Sequence, residues 1–582
     1  MATRVVVDPV TRIEGHLRIE METDGGKITN AWSESTQFRG IETILEGRDP
    51  RDAWAFTQRI CGVCTTVHAI ASVCAVEDAI GSHPPVQARL IRDIIMGSAG
   101  VQDHVIHFYH LHALDFVNVA SAAGADPAGA VEFARSIGST WKGNTLERMT
   151  AVRDTVAGIV ASGQLSIFTG GYWNHPEYKL PAEANLMAVA HYLDALEFQR
   201  SMIRINAVLG GKNPHPNFLV GGMACTIDPH RSESVNQVQI DQIGKWIAES
   251  VEFVKTCYVP DALAIVGAYK EYFDIGASSP NYLAVGLNGA TYAGDPAESQ
   301  TAPTPVTEAV LPGVIMGDDF GTVLPFDPAK IEEWVSSAWY KYGGGDVGLT
   351  PDVGETTVAY TGPKPPYEWL ADKPEYTWSK APRYGGVPMQ VGPLARVLLA
   401  YARGHARTVE VVDGASASLE IELKQLNSTA GRTLARAVEC LTSVEVLAEE
   451  TFPKFVENLK HGDIDVFDKT TWEPSSWPKS CSGFSMLEVA RGTLSHWVTI
   501  ENRKIERYQA VVPSTWNGGG RDAQGVKGPY EEALAGDGKH PLVNAEEPLE
   551  VLRTIHSFDP CMSCAVHVLD ASGSELAVVV TA

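Results

Sequence analysis

The chain has 582 residues, of which 44% are apolar and 20% charged, and its formal net charge is −25. This acidic balance disfavours binding to nucleic acid or to anionic membranes, because both require a basic protein surface. The nine cysteines are too sparse for a disulfide-stabilised scaffold, and no apolar run approaches the roughly 18 residues that a membrane-spanning helix needs.

Residues 4–35 alternate between apolar and polar side chains and contain the turn sequence Asp24–Lys27. The alternation predicts an N-terminal hairpin or small sheet. From about residue 85 onward, apolar residues recur every three or four positions, which predicts long amphipathic helices. Further segments of this kind cover roughly 184–208, 235–258 and 431–461, with glycines at 210, 211 and 462 as stop signals.

The segment from about 277 to 390 is rich in Gly, Pro, Tyr and Trp and has few periodic stretches. It predicts an irregular insertion of loops and short strands that covers the helical body. Together, these patterns predict a mainly α (α+β) fold, with one large domain of long central helices and small peripheral β-sheets.

The predicted helix after residue 85 carries four histidines, His104, His107, His110 and His112. The first three cannot share one tight helical face, although His107 and His110 are neighbours. We therefore favour packing and hydrogen bonding in the core for these side chains. A proton path is the alternative.

Two Cys-x-x-Cys pairs lie at opposite ends of the chain, Cys61–Cys64 and Cys561–Cys564, and a histidine follows each of them closely. Thiolates two residues apart can bind one metal ion together. Their separation argues against a local zinc knuckle and predicts that the fold closes around one central site. Taken alone, the first pair is as compatible with half of a structural zinc site or a redox dithiol as with a functional metal site, although the helical context lacks the βαβ unit that a thioredoxin-like dithiol would need.

Several motifs resemble the large subunit of nickel–iron hydrogenases, over essentially the whole chain. They are DPVTRIEGH, FRGIE, GRDPRDAW, FTQRICGVC, RGTLSHW, VVPSTWN and DPCMSCAVH. The resemblance is closer to the membrane-associated uptake branch than to the cytoplasmic branch, and to an unprocessed precursor. It implies reversible heterolytic cleavage of H2 to two protons and two electrons. The reaction would take place at a nickel–iron centre whose iron carries one carbonyl and two cyanide ligands.

The same resemblance implies the ligands of this centre. Cys61 and Cys561 would be terminal on nickel, and Cys64 and Cys564 would bridge nickel and iron, in keeping with the preference of nickel for soft thiolates. His68 would donate a hydrogen bond toward a bridging sulfur and so tune the centre.

Charged residues around the metals are implied in the same way. Glu14 matches the carboxylate that passes on a proton from a terminal cysteine, here Cys561; on its own it would more often be a solvated surface charge. Arg491 matches the arginine that contacts a cyanide. Asp103 and Asp559 match the carboxylates that orient this arginine, and an ordinary ion-pair network is the alternative for the three.

Ser514 matches the hydroxyl donor to the second cyanide, and Pro513 lies beside it in the sequence. One departure from the family pattern is Ala490, where relatives have proline before the arginine. This change is expected to loosen the backbone at Arg491 without removing the guanidinium group.

A second metal site is implied near the C-terminus. Glu42, the carbonyl of Ala510 and the imidazole of His567 match the family's hard-cation site, which water molecules complete. This donor set suits magnesium, with iron as the substitute because imidazole is less typical of magnesium.

The other cysteines form no cluster suited to iron–sulfur centres, so electrons would leave through an iron–sulfur small subunit. In the family, nickel-insertion factors load the centre and an endopeptidase then cuts after the histidine of the second motif. Here residues 1–567 would form the catalytic domain, and residues 568–582 would be a tail that holds Cys561 and Cys564 away until the metal arrives. Co-export with the small subunit would place the chain at the periplasmic face of the membrane; the cytoplasm is the alternative.

Two other functions explain fewer of these residues. A structural zinc protein would leave Glu14, Glu42, Asp103 and Arg491 without a role. A relative that kept the fold for quinone-linked electron transfer, as in respiratory complex I, typically lacks the four cysteines.

Overall fold

The computed structural model describes residues 3–165, 168, 171–286, 291–292 and 312–565, and for residues 291, 292, 564 and 565 it describes only the backbone. The chain begins with an antiparallel sheet in the order β1-β2-β3. Gly25 and Gly26 join the last two strands with φ angles of 58° and 75°, the left-handed pair that a tight hairpin turn needs. The predicted N-terminal sheet is confirmed, with strands β1 (Thr3–Val7), β2 (Leu17–Asp24) and β3 (Lys27–Ser35).

Helical residues outnumber strand residues in the described chain. They are α1 (Ile41–Leu45), α2 (Ala53–Thr57), α3 (Val67–Ile80), α4 (Val86–Ile106), α5 (Pro127–Ser136), α6 (Leu146–Ser162), α7 (Ala182–Gly210), α8 (Gln237–Phe253), α9 (Val259–Ala268), α10 (Pro393–Ala402), α11 (Ala406–Leu419), α12 (Thr429–Val446), α13 (Phe452–Lys460), α14 (Pro513–Gly518), α15 (Pro529–Ala535), α16 (Leu549–Ser557) and α17 (Met562–Ala565).

Three of the predicted long helices pass through a π-helical segment. Helix α4 continues into His107–His112, α8 joins α9 through Val254–Tyr258, and α12 joins α13 through Leu447–Thr451. Such segments add one residue to a helical turn and often occur at functional sites. The predicted helices are confirmed, and so are their glycine stops, because Gly211 and Gly462 adopt φ angles of 79° and 83°.

The largest hydrophobic core lies among α3, α4, α7, α9 and α12, and it includes both cysteines of the first pair together with Cys561. A second core lies between the N-terminal sheet, residues 335–378 and the helices α15 and α16. The first core therefore surrounds the place where the two ends of the chain meet.

The segment 277–390 contains only short strands in its described part. Its described residues confirm the predicted irregular insertion, and the mainly α fold with small sheets is confirmed with it. Residues 287–290 and 293–311 lie outside the described residues. The strands are β4 (Tyr282–Ala284), β5 (Thr291–Tyr292), β6 (Gly313–Ile315), β7 (Leu324–Pro325), β8 (Ile331–Trp334), β9 (Tyr340–Lys341), β10 (Thr357–Val358) and β11 (Ala381–Tyr384).

A larger antiparallel sheet of order β14-β13-β12-β5 supports the first core. Its long strands are β12 (Ser480–Val489), β13 (Gly492–Glu501) and β14 (Lys504–Val511). Helix α3 packs directly on β12 because Gly483 has no side chain: a Cβ atom there would lie 2.3 Å from the amide nitrogen of Ala79. Ser485 also donates a hydrogen bond to the carbonyl of Ala71 at 2.6 Å. This packing fixes the helix that carries His68 against the sheet.

A buried carboxyl group in the N-terminal sheet gives a first prediction. Glu34 is fully buried, with Arg18 at 3.1 Å, and burial together with the charge of Glu20 raises the pKa of Glu34 to about 11. The folded state therefore holds a proton that the unfolded state releases above the ordinary pKa of about 4.5. This linkage lowers the stability of the wild type as the pH rises from about 4.5 toward 11, by up to about 1.4 kcal/mol per pH unit.

Glu34→Gln is accordingly expected to be more stable than the wild type, by a margin that grows between pH 6 and pH 9 in urea or thermal unfolding. Glu20→Gln is the matched control. Glu20 accepts hydrogen bonds from Arg18 and from the amides of Leu370 and Ala371, so its loss should destabilise the fold at both pH values. A constant difference between Glu34→Gln and wild type at the two pH values would contradict the assignment of a neutral Glu34.

Candidate metal centre

The two ends of the chain meet in the backbone before any side chain is considered. Glu14 forms a parallel β-bridge with Cys561, and the amide of Met562 donates to the carbonyl of Glu14 at 2.7 Å. Gly15 follows with a φ angle of 81° and lies so close to the C-terminal segment that a Cβ atom would be 2.2 Å from the amide nitrogen of Ser563. The glycine of the N-terminal RIEGH sequence is thus required by both conformation and space.

Gly15→Ala is expected to push the segment of Cys561 away from the first cysteine pair and to remove bound nickel from the purified protein. Gly47→Ala is the matched control, because Gly47 has a similar φ angle of 75° but nothing within 4 Å of the added Cβ. Both variants carry the strain of a left-handed alanine, of order 1–2 kcal/mol. Equal nickel content in the two variants, measured by elemental analysis, would show that the close approach at Gly15 is not needed.

Three of the four predicted cysteine ligands converge in the core. The sulfur atoms of Cys61, Cys64 and Cys561 lie within 4.8 Å of one another, and those of Cys61 and Cys561 are 3.4 Å apart. All three residues are buried cysteines, and the amide of Cys64 donates to the Cys61 sulfur at 3.2 Å. The side chain of Cys564 lies outside the described residues. Soft sulfur donors grouped in this way fit a nickel ion, whose positive charge would offset the buried thiolates.

Cys561 lies beside Cys61, with the two sulfur atoms 3.4 Å apart. The role of the tail in holding Cys561 and Cys564 away until the metal arrives stays a prediction. His567 and the tail itself lie outside the described residues, and cleavage after His567 stays a prediction.

Arg491 lies at the tip of the β12–β13 hairpin and faces the cysteines. Its guanidinium is 2.9 Å from the carboxylate of Asp559 and 3.7 Å from that of Asp103. Burial would lower the pKa of Arg491, but Asp559, Cys561 and Asp103 raise it well above its usual value. The structure therefore brings the predicted trio together in the core, as a buried ion-pair network rather than one at the surface.

The two carboxylates of this trio differ in their surroundings. Burial raises the pKa of Asp103 to about 7. The negative charge of Asp559 adds to this shift, and the positive charge of Arg491 opposes it. Asp559 forms a second ion pair, at 3.3 Å, with Arg436 on α12. Asp559 is therefore the stronger partner of Arg491.

The hairpin tip before Arg491 is held in place, although Ala490 replaces the proline expected there. The carbonyl of Ala490 accepts hydrogen bonds from Arg396 and Arg436, each at 3.3 Å. Arg396 also bonds the carbonyl of Val489 at 2.9 Å. These two buried arginines supply a restraint that the sequence did not reveal, and the expected loosening at Arg491 stays a prediction.

A small cavity of about 10 Å³ lies between the cysteines and the hairpin. His68, Pro513 and Ser514 line it, together with apolar side chains of β12, β13 and α3. The hydroxyl of Ser514 accepts a hydrogen bond from the amide of Cys561 at 2.9 Å, which leaves its own proton available to a ligand in the cavity. The enclosed, mostly apolar wall is suited to small uncharged or singly charged ligands.

Glu14 is half-buried rather than a solvated surface charge. Burial and the neighbouring Cys61 raise the pKa of its carboxyl group, while a hydrogen bond with Ser563 opposes this shift. A carboxyl group whose pKa is raised can exchange a proton more readily near neutral pH than an ordinary glutamate.

Two of the three residues of the predicted second site, Glu42 and Ala510, lie together. The amide of Ala510 donates to the buried carboxylate of Glu42 at 3.0 Å, and Thr356 donates to its other oxygen. Lys380 lies 3.7 Å from the same carboxylate. Since His567 lies outside the described residues, the magnesium site stays a prediction.

The histidine-rich turn serves packing and hydrogen bonding, as predicted. Each ring bonds a different partner in the core, and burial lowers the pKa of all four, to about 4 for His104, His110 and His112. The π-helical turn changes the direction of the last side chains. The bonds run from His104 to Glu439, His107 to the carbonyl of His556, His110 to the carbonyl of Tyr192, and His112 to Thr433.

Comparisons with known proteins agree with this geometry. A family model described as nickel-dependent hydrogenase matches residues 39–567, and a second, described as HoxL-like, matches residues 4–38. The hydrogenase-1 large chain of Escherichia coli K12 is 44% identical over 587 residues, covering 98% of this chain and 96% of that protein. The uptake hydrogenase large subunit of Bradyrhizobium diazoefficiens is 44% identical over 589 residues, covering 99% and 96%.

A solved structure also matches over nearly the full length. The Ni-Fe-Se hydrogenase from D. vulgaris Hildenborough in the reduced state superimposes with a TM-score of 0.74 and 30% identity, covering 97% of this chain and 100% of that chain. Within the described part of this chain, none of the helices combines the length and the hydropathy needed to cross a membrane.

Proposed function

Because this chain belongs to the nickel-dependent hydrogenase family, as a large subunit that acts on H2, we propose that its four paired cysteines hold a nickel–iron centre. At this centre H2 is cleaved reversibly to two protons and two electrons. The observation that carries the proposal is the convergence of Cys61, Cys64 and Cys561 from opposite ends of the chain into one buried site. When bound, the centre would supply nickel and an iron that carries one carbonyl and two cyanides, and it would polarise H2 and accept its electrons.

The chain's own residues supply the proton chemistry. Cys561, a terminal ligand in this assignment, accepts the first proton on its sulfur. Glu14 is bonded through its backbone to the same segment, and its half-buried carboxyl group passes the proton toward the surface. The β-bridge between Glu14 and Cys561 holds the two residues side by side.

Arg491 acts as a fixed positive donor rather than as a base. Its ion pair with Asp559 at 2.9 Å, supported by Asp103, stabilises the charged guanidinium in the core. The guanidinium would donate a hydrogen bond to one cyanide and the hydroxyl of Ser514 to the other, while the apolar cavity wall excludes water.

The remaining assignments follow from the same family. Glu42, Ala510 and His567 hold magnesium, or iron, at a second site. The terms "large chain" and "large subunit" in the relatives' names imply a smaller partner, here an iron–sulfur small subunit that takes the electrons. Co-export with it leads to the periplasmic face of the membrane. Nickel-insertion factors load the centre, and an endopeptidase removes residues 568–582.

Infrared spectroscopy of the chain purified with its small subunit tests this function. One carbonyl band and two cyanide bands that shift under H2 are the expected result. Elemental analysis of the same sample should find nickel and iron. Zinc alone, with no bands from a chain that ends at His567, would overturn the proposal in favour of a structural zinc site.

A further inference from the structure

Three buried side chains, His68, His496 and Tyr508, form a hydrogen-bonded relay that leads away from the metal cavity. His68, in the first turn of α3, lines the cavity together with Cys64. Its Nδ1 atom lies 3.0 Å from Nε2 of His496 on β13, and Nδ1 of His496 lies 2.7 Å from the hydroxyl of Tyr508 on β14. All three side chains are buried, so these contacts are not exchanged with bulk water.

The order of donors and acceptors along this relay follows from Tyr508, the residue farthest from the cavity. A phenol is a hydrogen-bond donor at neutral pH, so the hydroxyl of Tyr508 can donate to Nδ1 of His496 across their 2.7 Å contact. A neutral His496 that accepts at Nδ1 carries its own proton on Nε2 and donates it to Nδ1 of His68. A neutral His68 that accepts at Nδ1 must in turn carry its proton on Nε2, the nitrogen that is left for the cavity.

The opposite order is unfavourable at the cavity end. It would place the proton of His68 on Nδ1 and leave a lone pair on Nε2 in a cavity that also contains the sulfur of Cys64. A metal-bound thiolate is itself an acceptor, so two acceptors would share a dry space without a proton between them. When donation begins at Tyr508, every imidazole nitrogen in the relay has a complementary partner.

We propose that His496 and Tyr508 are positioning residues that fix His68 as the Nε2–H tautomer, so that His68 presents a hydrogen-bond donor to the sulfur atoms of the metal centre. The inference rests on the proposed nickel–iron centre. Residues that hydrogen-bond the ligands of a metal influence the electron density at the metal through those ligands.

The strands that carry the two residues are well suited to hold them still. His496 pairs directly with Ala510 across the β13–β14 ladder, and Tyr508 lies two residues from Ala510 on the same face of β14. Helix α3 is in turn held close to β12 at Gly483. The relay therefore joins one helix and two strands of the rigid core, which is the arrangement that a precise hydrogen-bond direction needs.

The test uses the infrared bands of the carbonyl and cyanides in the complete two-subunit enzyme. His496→Leu should shift these bands in the same direction as His68→Leu, because both variants remove the donor at the sulfur. His496→Gln should stay close to wild type, since its side-chain amide can donate to His68 Nδ1. Tyr508→Phe, which removes only the hydroxyl, should give a smaller shift of the same sign.

The double variant His68→Leu/His496→Leu separates this relay from a general packing role. If His496 acts only through His68, the double variant should show the bands of His68→Leu alone. Additive shifts would overturn the relay, and so would unshifted bands in Tyr508→Phe, which answers the question even if His496→Leu does not fold. A wild-type enzyme without any such bands would overturn the nickel–iron centre itself, so the two failures are distinguishable.

Discussion

Replacing Cys561 with serine is expected to abolish both nickel binding and H2 turnover. The sulfur of Cys561 lies 3.4 Å from that of Cys61 in the core, and serine substitutes a hard hydroxyl with a high pKa for a soft thiolate. Loss of a supporting partner outside the ligand shell typically costs 10–100-fold in metal affinity, so loss of a direct ligand should cost more than about 100-fold. Nickel analysis and H2-dependent dye reduction on the purified two-subunit enzyme measure the two effects.

The effect should come from the ligand rather than from misfolding. The backbone of this segment is held by Glu14 and by the hydroxyl of Ser514, and these bonds do not involve the sulfur. Cys481→Ser is the matched control, because Cys481 is a free thiol on β12 that lies outside the cluster of three. Full turnover in Cys561→Ser would rule out a ligand role for this residue.

Periodicity in the sequence was enough to predict the main helices but not their details. The segment 431–461 has the helical repeat, and the structure places α12 and α13 there. The π-helical turns at Val254–Tyr258 and Leu447–Thr451 could not be predicted. One inserted residue hardly changes a three- to four-residue pattern, and tertiary packing decides where the insertion lies.

The candidate site, like the fold, could be predicted from the sequence only in part. The two cysteine pairs could be assigned to one centre from ligand chemistry, because paired thiolates at both termini have few other uses. The residues that hold Arg491 could not be assigned. Arg396 and Arg436 reach the carbonyl of Ala490 from α10 and α12, and His496 reaches His68 from a different strand. Such contacts depend on how distant segments pack, for which one sequence carries no local signal.

Glu14→Gln should stop proton transfer while it leaves the metals bound. The carbonyl of Glu14, not its side chain, accepts from Met562, so the amide variant should keep the Cys561 segment in place. An amide of the same shape cannot accept and release a proton near neutral pH. Because a positioned acid–base group contributes about 10²- to 10⁴-fold, H2 oxidation should fall by that factor. The infrared bands of the centre should persist.

Exchange between D2 and solvent protons isolates this step, since it requires proton movement but no electron acceptor. Glu14→Asp is the matched control: it keeps the acid and shortens its reach, so exchange should be slowed less than in Glu14→Gln. The raised pKa of Glu14, caused by burial and by Cys61, is expected only if the carboxyl group lies beside the centre rather than in open solvent. Wild-type exchange in Glu14→Gln, with nickel and iron retained, would mean that protons leave Cys561 by another path.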